Sequence, residues 1–182
     1  MSDSTASKPF VLLRSIAQSY INAGVGMPTE ADNRPMWSGV GFVLGGVRMV
    51  ASMSEVVEMM TVPPATRLPG VKPWVQGVAN LRGRLLPLID MEMFLETGVS
   101  VNAVNRRVVS IEQSDVYAGL VMNQVFGMQH FPVDSYNQAV QQEVPQALLP
   151  FIEGCYEHMG ESWVVFSPKL LCKNELFLSA AS

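Results

Sequence analysis

The chain has 182 residues, of which 15% are charged and 48% are apolar or aromatic. An ordinary soluble domain carries about 25% charge, so this composition excludes disorder and implies a large core. Twelve bases against sixteen acids give a net charge of −4, which leaves no basic footprint for nucleic acid.

The length fits one domain or two small intertwined units. The longest uncharged run, Val116 to Val133, contains Asn123, Gln124, Gln129, His130 and Pro132. A spanning helix needs roughly 20 mostly apolar residues, so no integral membrane segment is expected. The first residues lack the basic and apolar regions of a signal peptide. Two cysteines, Cys155 and Cys172, make no disulfide framework, and a reduced, cytoplasmic protein is expected.

Ser7 can cap a helix, Pro9 fits its first turn, and Phe10, Leu13, Ile16, Ala17, Tyr20 and Ile21 recur at helical spacing. A helix over about 7–21 is therefore predicted. A linker follows to residue 36, marked by Gly24, Gly26, Pro28 and Pro35. From Trp37 the texture becomes β-type. Gly39–Leu44 and Val47–Met53 flank Gly45-Gly46, a two-residue hairpin signal. Strands are predicted over Val56–Val62, Val75–Leu81 and Leu85–Ile89, with Asp90 capping a short helix through Met91, Phe94 and Leu95. Arg106–Glu112, Val116–Met122 and Val125–Phe131 read as a meander jointed at Gln113-Ser114-Asp115 and Asn123-Gln124. Residues 132–150 form a polar, proline-bounded excursion, and Trp163–Phe166 is a last strong strand. Nine or ten strands with almost no helix give an all-β class, and barrels are favoured because closure hides strand edges.

Catalysis needs a base beside its partner. Only His130 and His158 are present, and His130 sits in an alternating strand without a neighbouring acid. Cys155, His158 and Cys172 could supply soft ligands, but zinc sites pair their ligands at tight spacing, and buried cysteine is the plainer reading. Gly39-x-Gly41-x-x-x-Gly45 lies in a hairpin with no helix after it, so its glycines do not cradle a pyrophosphate. No catalytic residue, metal or cofactor is expected, and the enzyme reading ranks last. A regulatory small-ligand site at an apolar barrel junction is the alternative to a binding scaffold.

The densest segment is Leu68-Pro-Gly-Val-Lys-Pro-Trp-Val-Gln-Gly-Val-Ala-Asn-Leu-Arg-Gly-Arg-Leu-Leu-Pro-Leu-Ile-Asp90. Gly77 and Gly83 permit backbone geometry that other residues resist, and Asn80 can hydrogen-bond its own turn. Arg82 is thereby presented from a rigid loop. Such an arginine is either an exposed salt-bridge partner or a recognition residue of the kind enriched at interfaces.

This segment resembles the signature of the CheW-like domains of bacterial chemosensory systems. Phe42-Val-Leu-Gly-Gly46, Val56-Val-Glu-Met59 and Tyr117-Ala-Gly-Leu-Val-Met-Asn-Gln-Val125 extend the resemblance over about Trp37 to Leu178. It implies two adjoining SH3-like five-stranded β-barrels over 37–178, with a tail at 179–182. It further implies a non-catalytic adaptor between a chemoreceptor's cytoplasmic tip and the regulatory domain of a CheA-type histidine kinase. Arg82 takes the place of the family's signalling arginine, with Gly83 beside it. Val56, Glu58, Gly77, Gly119, Val125 and Met128 fall in the implied partner-binding region. For the apolar positions among them, core packing is the competing reading, because strand residues alternate between two faces. The extension over 1–36, with the dense segment, resembles the PilI-type branch that serves type IV pilus twitching systems. Two departures stand out: Asn123 where the family usually has Asp, and Ser167 where it commonly has an acid. Both positions read as turns or caps, where a local change is expected.

Overall fold

The computed structural model describes residues 34–98, 105–113 and 115–180, so the predicted helix over 7–21 and most of its linker lie outside the described residues. Residues 35–182 form one compact unit. Eleven strands are described: β1 (Met36–Leu44), β2 (Val47–Ser52), β3 (Val56–Thr61), β4 (Val75–Leu81), β5 (Arg84–Asp90), β6 (Arg107–Gln113), β7 (Val116–Met122), β8 (Gln124–Pro132), β9 (Tyr136–Asn137), β10 (Ile152–His158) and β11 (Glu161–Phe166). Three one-turn helices accompany them: α1 (Met91–Phe94), α2 (Pro168–Leu171) and α3 (Glu175–Leu178).

The strands form a six-stranded sheet in the order β8-β1-β2-β11-β10-β9 and a five-stranded sheet in the order β3-β6-β7-β5-β4. Every pairing is antiparallel except β2 with β11 and β5 with β7. Both sheets are rolled. Met60 on edge strand β3 and Leu81 on edge strand β4 pack on the same buried cluster, which requires the two edges to come round. In the other sheet Phe131 of β8 stacks on Tyr156 of β10 at 5.1 Å, across the interior.

The reason for rolling is visible in the side-chain alternation. On β6 Val108 enters a cluster inside the five-stranded sheet with Leu86, Leu88 and Val121, while Val109 and Ile111 face the other way. On β11 Trp163 and Val165 join Val50, Phe131 and Tyr156 inside the six-stranded sheet, while Val164 and Phe166 turn outward from it. The outward sets of both sheets meet in one large cluster that includes Val40, Phe42, Met49, Ile89, Leu120 and Met122. Three cores result, one inside each roll and one between them. Strands buried on both faces read as continuous apolar runs.

The predicted strands and the Gly45-Gly46 hairpin are present, with φ of 59° and 77° at the two glycines, the left-handed pair that a type I′ turn demands. Asp90 caps α1 as expected, its carboxylate accepting from Met93 N. Strands β9 and β10 were not expected. In β10 the register shifts between Ile152 and Gly154, so the bulge breaks the alternation that would mark the strand.

One buried carboxylate joins the sheets. Glu92 on α1 is 6% exposed. It accepts from Gly45 N at the β1–β2 turn at 3.1 Å, from Asn123 Nδ2 at the β7–β8 junction at 2.8 Å, and from the Thr97 hydroxyl. This explains the departure at Asn123: an amide donates to Glu92, whereas a second carboxylate there would only accept. Ser167, the other departure, caps α2 by accepting from Leu170 N. Among the described residues no helix is long and apolar enough to cross a membrane, and no cluster of metal-ligating side chains forms.

Asn123→Asp should therefore destabilise the fold by about 1–3 kcal/mol or more, by removing a donor from a buried acceptor and adding like charge; urea unfolding measures it. The Cys172 thiol is pushed up to about 11, chiefly by burial and further by the charge of Glu55. Cys155 is 1% exposed. Both thiols should alkylate slowly with iodoacetamide at mildly alkaline pH in the native protein, and rapidly once it is unfolded.

Candidate functional site

The hairpin β4–β5 builds the most exposed part of the site. Its turn is Leu81-Arg82-Gly83-Arg84, with φ of 52° at Arg82 and 81° at Gly83. Asn80 Oδ1 accepts from Gly83 N at 2.9 Å and fixes the turn. A type I′ turn suits Asn-Gly; an arginine in the left-handed region costs about 1–2 kcal/mol. The Arg82 guanidinium reaches Glu58 Oε1 at 2.9 Å, but its side chain remains 77% exposed. An exposed pair of this kind contributes at most about 1 kcal/mol. Strain and pairing thus roughly cancel, and stability gives no reason for an arginine here. The pair does bridge β3 and the end of β4, the two edges of the rolled sheet.

Arg84, two residues on, is used differently. It grips Glu112 with two hydrogen bonds of 2.8 and 3.0 Å and lies 4.0 Å over the Tyr117 ring. The hydrogen bonds from Arg84 hold the Glu112 carboxyl below its usual range. Arg84 is committed to its own sheet; Arg82 points past it into solvent.

The strands that carry this pair also expose apolar side chains on the other face of the sheet. Val57 and Met59 flank Glu58 on β3 and are 54% and 37% exposed, and Leu85 beyond the turn is 72% exposed. Met59, Thr61, Arg107, Val125, Phe126 and Gly127 line a cleft of about 440 Å³ between β3 and β8. Val125 is half-buried there against the inter-sheet core, and Met128 is 52% exposed on β8, the edge strand of its sheet. Phe126 packs edge-on to Trp163 at 5.5 Å with the Arg48 guanidinium above both rings.

Three expected partner-binding positions are accounted for by packing instead. Val56 is buried in the inter-sheet core. Gly119 is buried, and a Cβ there would lie 2.8 Å from Leu88 and Val108 side-chain atoms. Gly77 is buried at a bulge where a Cβ would lie 2.4 Å from the Thr66 carbonyl oxygen, so only glycine lets the β3–β4 connection rest on β4. These positions have no surface to offer a partner. Arg82, Glu58, Gly83, Val125 and Met128 do. Val57, Met59, Leu85 and Phe126 add exposed apolar surface that the sequence did not mark, because an apolar residue in a strand carries no sign of which face it takes.

Acid–base chemistry finds no constellation among the described residues. His130 Nδ1 hydrogen-bonds the Ser38 hydroxyl at 2.8 Å on an exposed edge without a carboxylate, and His158 lies edge-on to Phe131 at 5.8 Å.

A family model for the CheW-like domain matches residues 38–175. The chain is 46% identical over 178 residues to Protein PilI of Pseudomonas aeruginosa, covering 98% of this chain and 99% of that one. It is 28% identical over 105 residues to chemotaxis protein CheW of Bacillus subtilis, covering 56% of this chain and 67% of that one. It is 31% identical over 104 residues to Protein FrzA of Myxococcus xanthus, covering 57% and 64%. Among solved structures, scaffolding protein TtCheW from Thermoanaerobacter tengcongensis has the same fold, with a TM-score of 0.67 at 19% identity, covering 78% of this chain and 95% of that one. Two rolled sheets, the Asn80-Leu81-Arg82-Gly83 turn and a match along almost the whole chain converge: this protein belongs to the family of CheW-like domain proteins.

Proposed function

We propose that this protein is a non-catalytic coupling scaffold that links the cytoplasmic tip of a chemoreceptor to a CheA-type histidine kinase, in a PilI-type pathway controlling type IV pilus motility. The observation that carries this is Arg82: a strained, exposed arginine on a rigid hairpin whose stabilising role does not account for it. Backbone strain at such a place is a mark of function. Its surroundings support the reading. Val57, Met59 and Leu85 expose apolar area on the same strands, a composition found at interfaces beside a charged anchor. The near full-length likeness to PilI supports the motility branch. The scaffold would work on the cytoplasmic side of a receptor array, held there by its partners, and needs no cofactor.

Interfaces of modest area suit such an assembly, because a signal can then shift their relative positions. Arg82 and Glu58 would contribute specificity and orientation, while Met128 and Val125 on the other sheet would provide a second apolar contact.

Arg82→Asn should leave the fold as stable as before or up to about 1 kcal/mol more stable, since asparagine tolerates the left-handed region. That corresponds to a rise in Tm of no more than about 2–4 °C. The same variant should weaken capture of the kinase regulatory domain or the receptor at least about tenfold, a loss of 1.4 kcal/mol. Glu58→Lys should weaken it as well, by placing two cations side by side. Pull-down with purified partners measures both, and Arg82→Asn retaining wild-type binding to kinase and receptor alike would overturn the proposal.

A further inference from the structure

The opposite end of the β4–β5 ribbon holds a second surface that coupling does not explain. A cleft of about 680 Å³ lies beneath the β3–β4 connection, at the start of β4 and the end of β5. That size falls in the range of small-molecule sites. Its walls carry Arg67, Lys72 and Arg106, three of the chain's twelve basic residues, against the single acid Asp90. The lining therefore bears a net charge of +2 in a protein of net −4.

The acid is already occupied. Asp90 accepts from Arg106 at 2.5 Å and from Gln76 Nε2 at 2.9 Å, and its other oxygen caps α1. Neither Arg67 nor Lys72 has an ion-pair partner among the described residues. Arg106 itself is only partly used: its Nε is out of water and has no acceptor. A guanidinium offers paired donors that match the oxygens of carboxylates and phosphates. Ordinary exposed bases scatter over a surface, but here two cations without ion-pair partners line one cleft with a half-buried guanidinium whose Nε has no acceptor. Apolar side chains, including Leu68, Val71 and Met93, complete the walls and would exclude water from a bound group.

We infer that this cleft binds a small organic or inorganic polyanion through Arg67, Lys72 and Arg106, with Asp90 and Gln76 holding Arg106 in place. The ligand class is a molecule bearing two or more acidic oxygens, either a polycarboxylate or a phosphate. The inference stands independently of the coupling role, since no residue of the Arg82 turn lines the cleft. It does place the ligand on the same two strands: Gln76 and Asp90 lie at one end of the ribbon, Arg82 and Arg84 at the other.

Titration calorimetry of the full chain with citrate and with inorganic phosphate, at ionic strengths matched between the two probes and then raised together with sodium chloride, tests this. Saturable binding of at least one probe is expected, weakening as chloride is raised. Citrate alone would identify a polycarboxylate site; binding of both, or of phosphate alone, would identify a phosphate-compatible one. Arg67→Ser with Lys72→Ser should weaken binding at least tenfold while leaving the circular dichroism spectrum and kinase capture unchanged. If the double variant does not fold, Arg67→Ser alone, at an exposed position, should still weaken binding several-fold. No saturable binding of either probe, or equal binding by a folded variant, would overturn the inference.

Discussion

Most of this structure follows from strands that are buried on both faces. Each sheet rolls to enclose its own small cluster and then presses its outer apolar face against the other sheet. A strand in that position has no solvent side on which to place charge, so Lys, Arg, Asp and Glu retreat to turns, edges and the connections between strands. The low charge content has its main cause here, and a membrane is not needed to explain it. A second, smaller cause is the uncovered apolar surface at Val57, Met59 and Leu85, on the strands joined by the Arg82–Glu58 ion pair.

Two carboxylates on adjacent turns of chain divide the polar work inside this apolar frame. Asp90 faces Arg106 and Gln76 within its own sheet. Glu92, two residues later, faces Gly45 and Asn123 and so fastens one sheet to the other. Because α1 is a single turn, the two side chains leave it in different directions, and the joint between the sheets is fixed by hydrogen bonds as well as by packing. The same economy shapes the β4–β5 turn. Arg84 is spent on Glu112 and Tyr117, which leaves Arg82 as the arginine that reaches solvent.

Much of this was legible in the residues. Runs of β-branched and apolar side chains bounded by Gly-Gly, Asn-Gln or Asp gave nine strands within one to three residues of their observed ends, and Arg82 stood out because a strand–turn–strand unit needs no arginine. What escaped has physical reasons. Strand β10 is bulged, so its period-two pattern slips. The parallel pairing of β2 with β11 joins segments far apart in sequence and leaves no local trace. Gly119 could not be separated from surface positions by alternation, since in a doubly buried strand both faces are apolar, and buried Val56 stands next to the equally apolar but exposed Val57. Gly77 needed knowledge of Thr66 lying against it, a tertiary contact. Glu92 looked like an ordinary first-turn acid of a short helix, and only the approach of Gly45 and Asn123 reveals its role.

The chain begins the six-stranded sheet with β1 and β2, leaves to build the whole five-stranded sheet, and returns with β8 to β11. During synthesis the five-stranded sheet is complete as soon as β7 has left the ribosome, yet its outward apolar face then has nothing to cover it. β2 likewise waits for β11, among the last strands made. Until then the nascent chain holds an exposed apolar face and open strand edges, the features that promote aggregation and recruit chaperones. A chain assembled in this order is vulnerable at birth in proportion to how tightly its two halves are joined once finished.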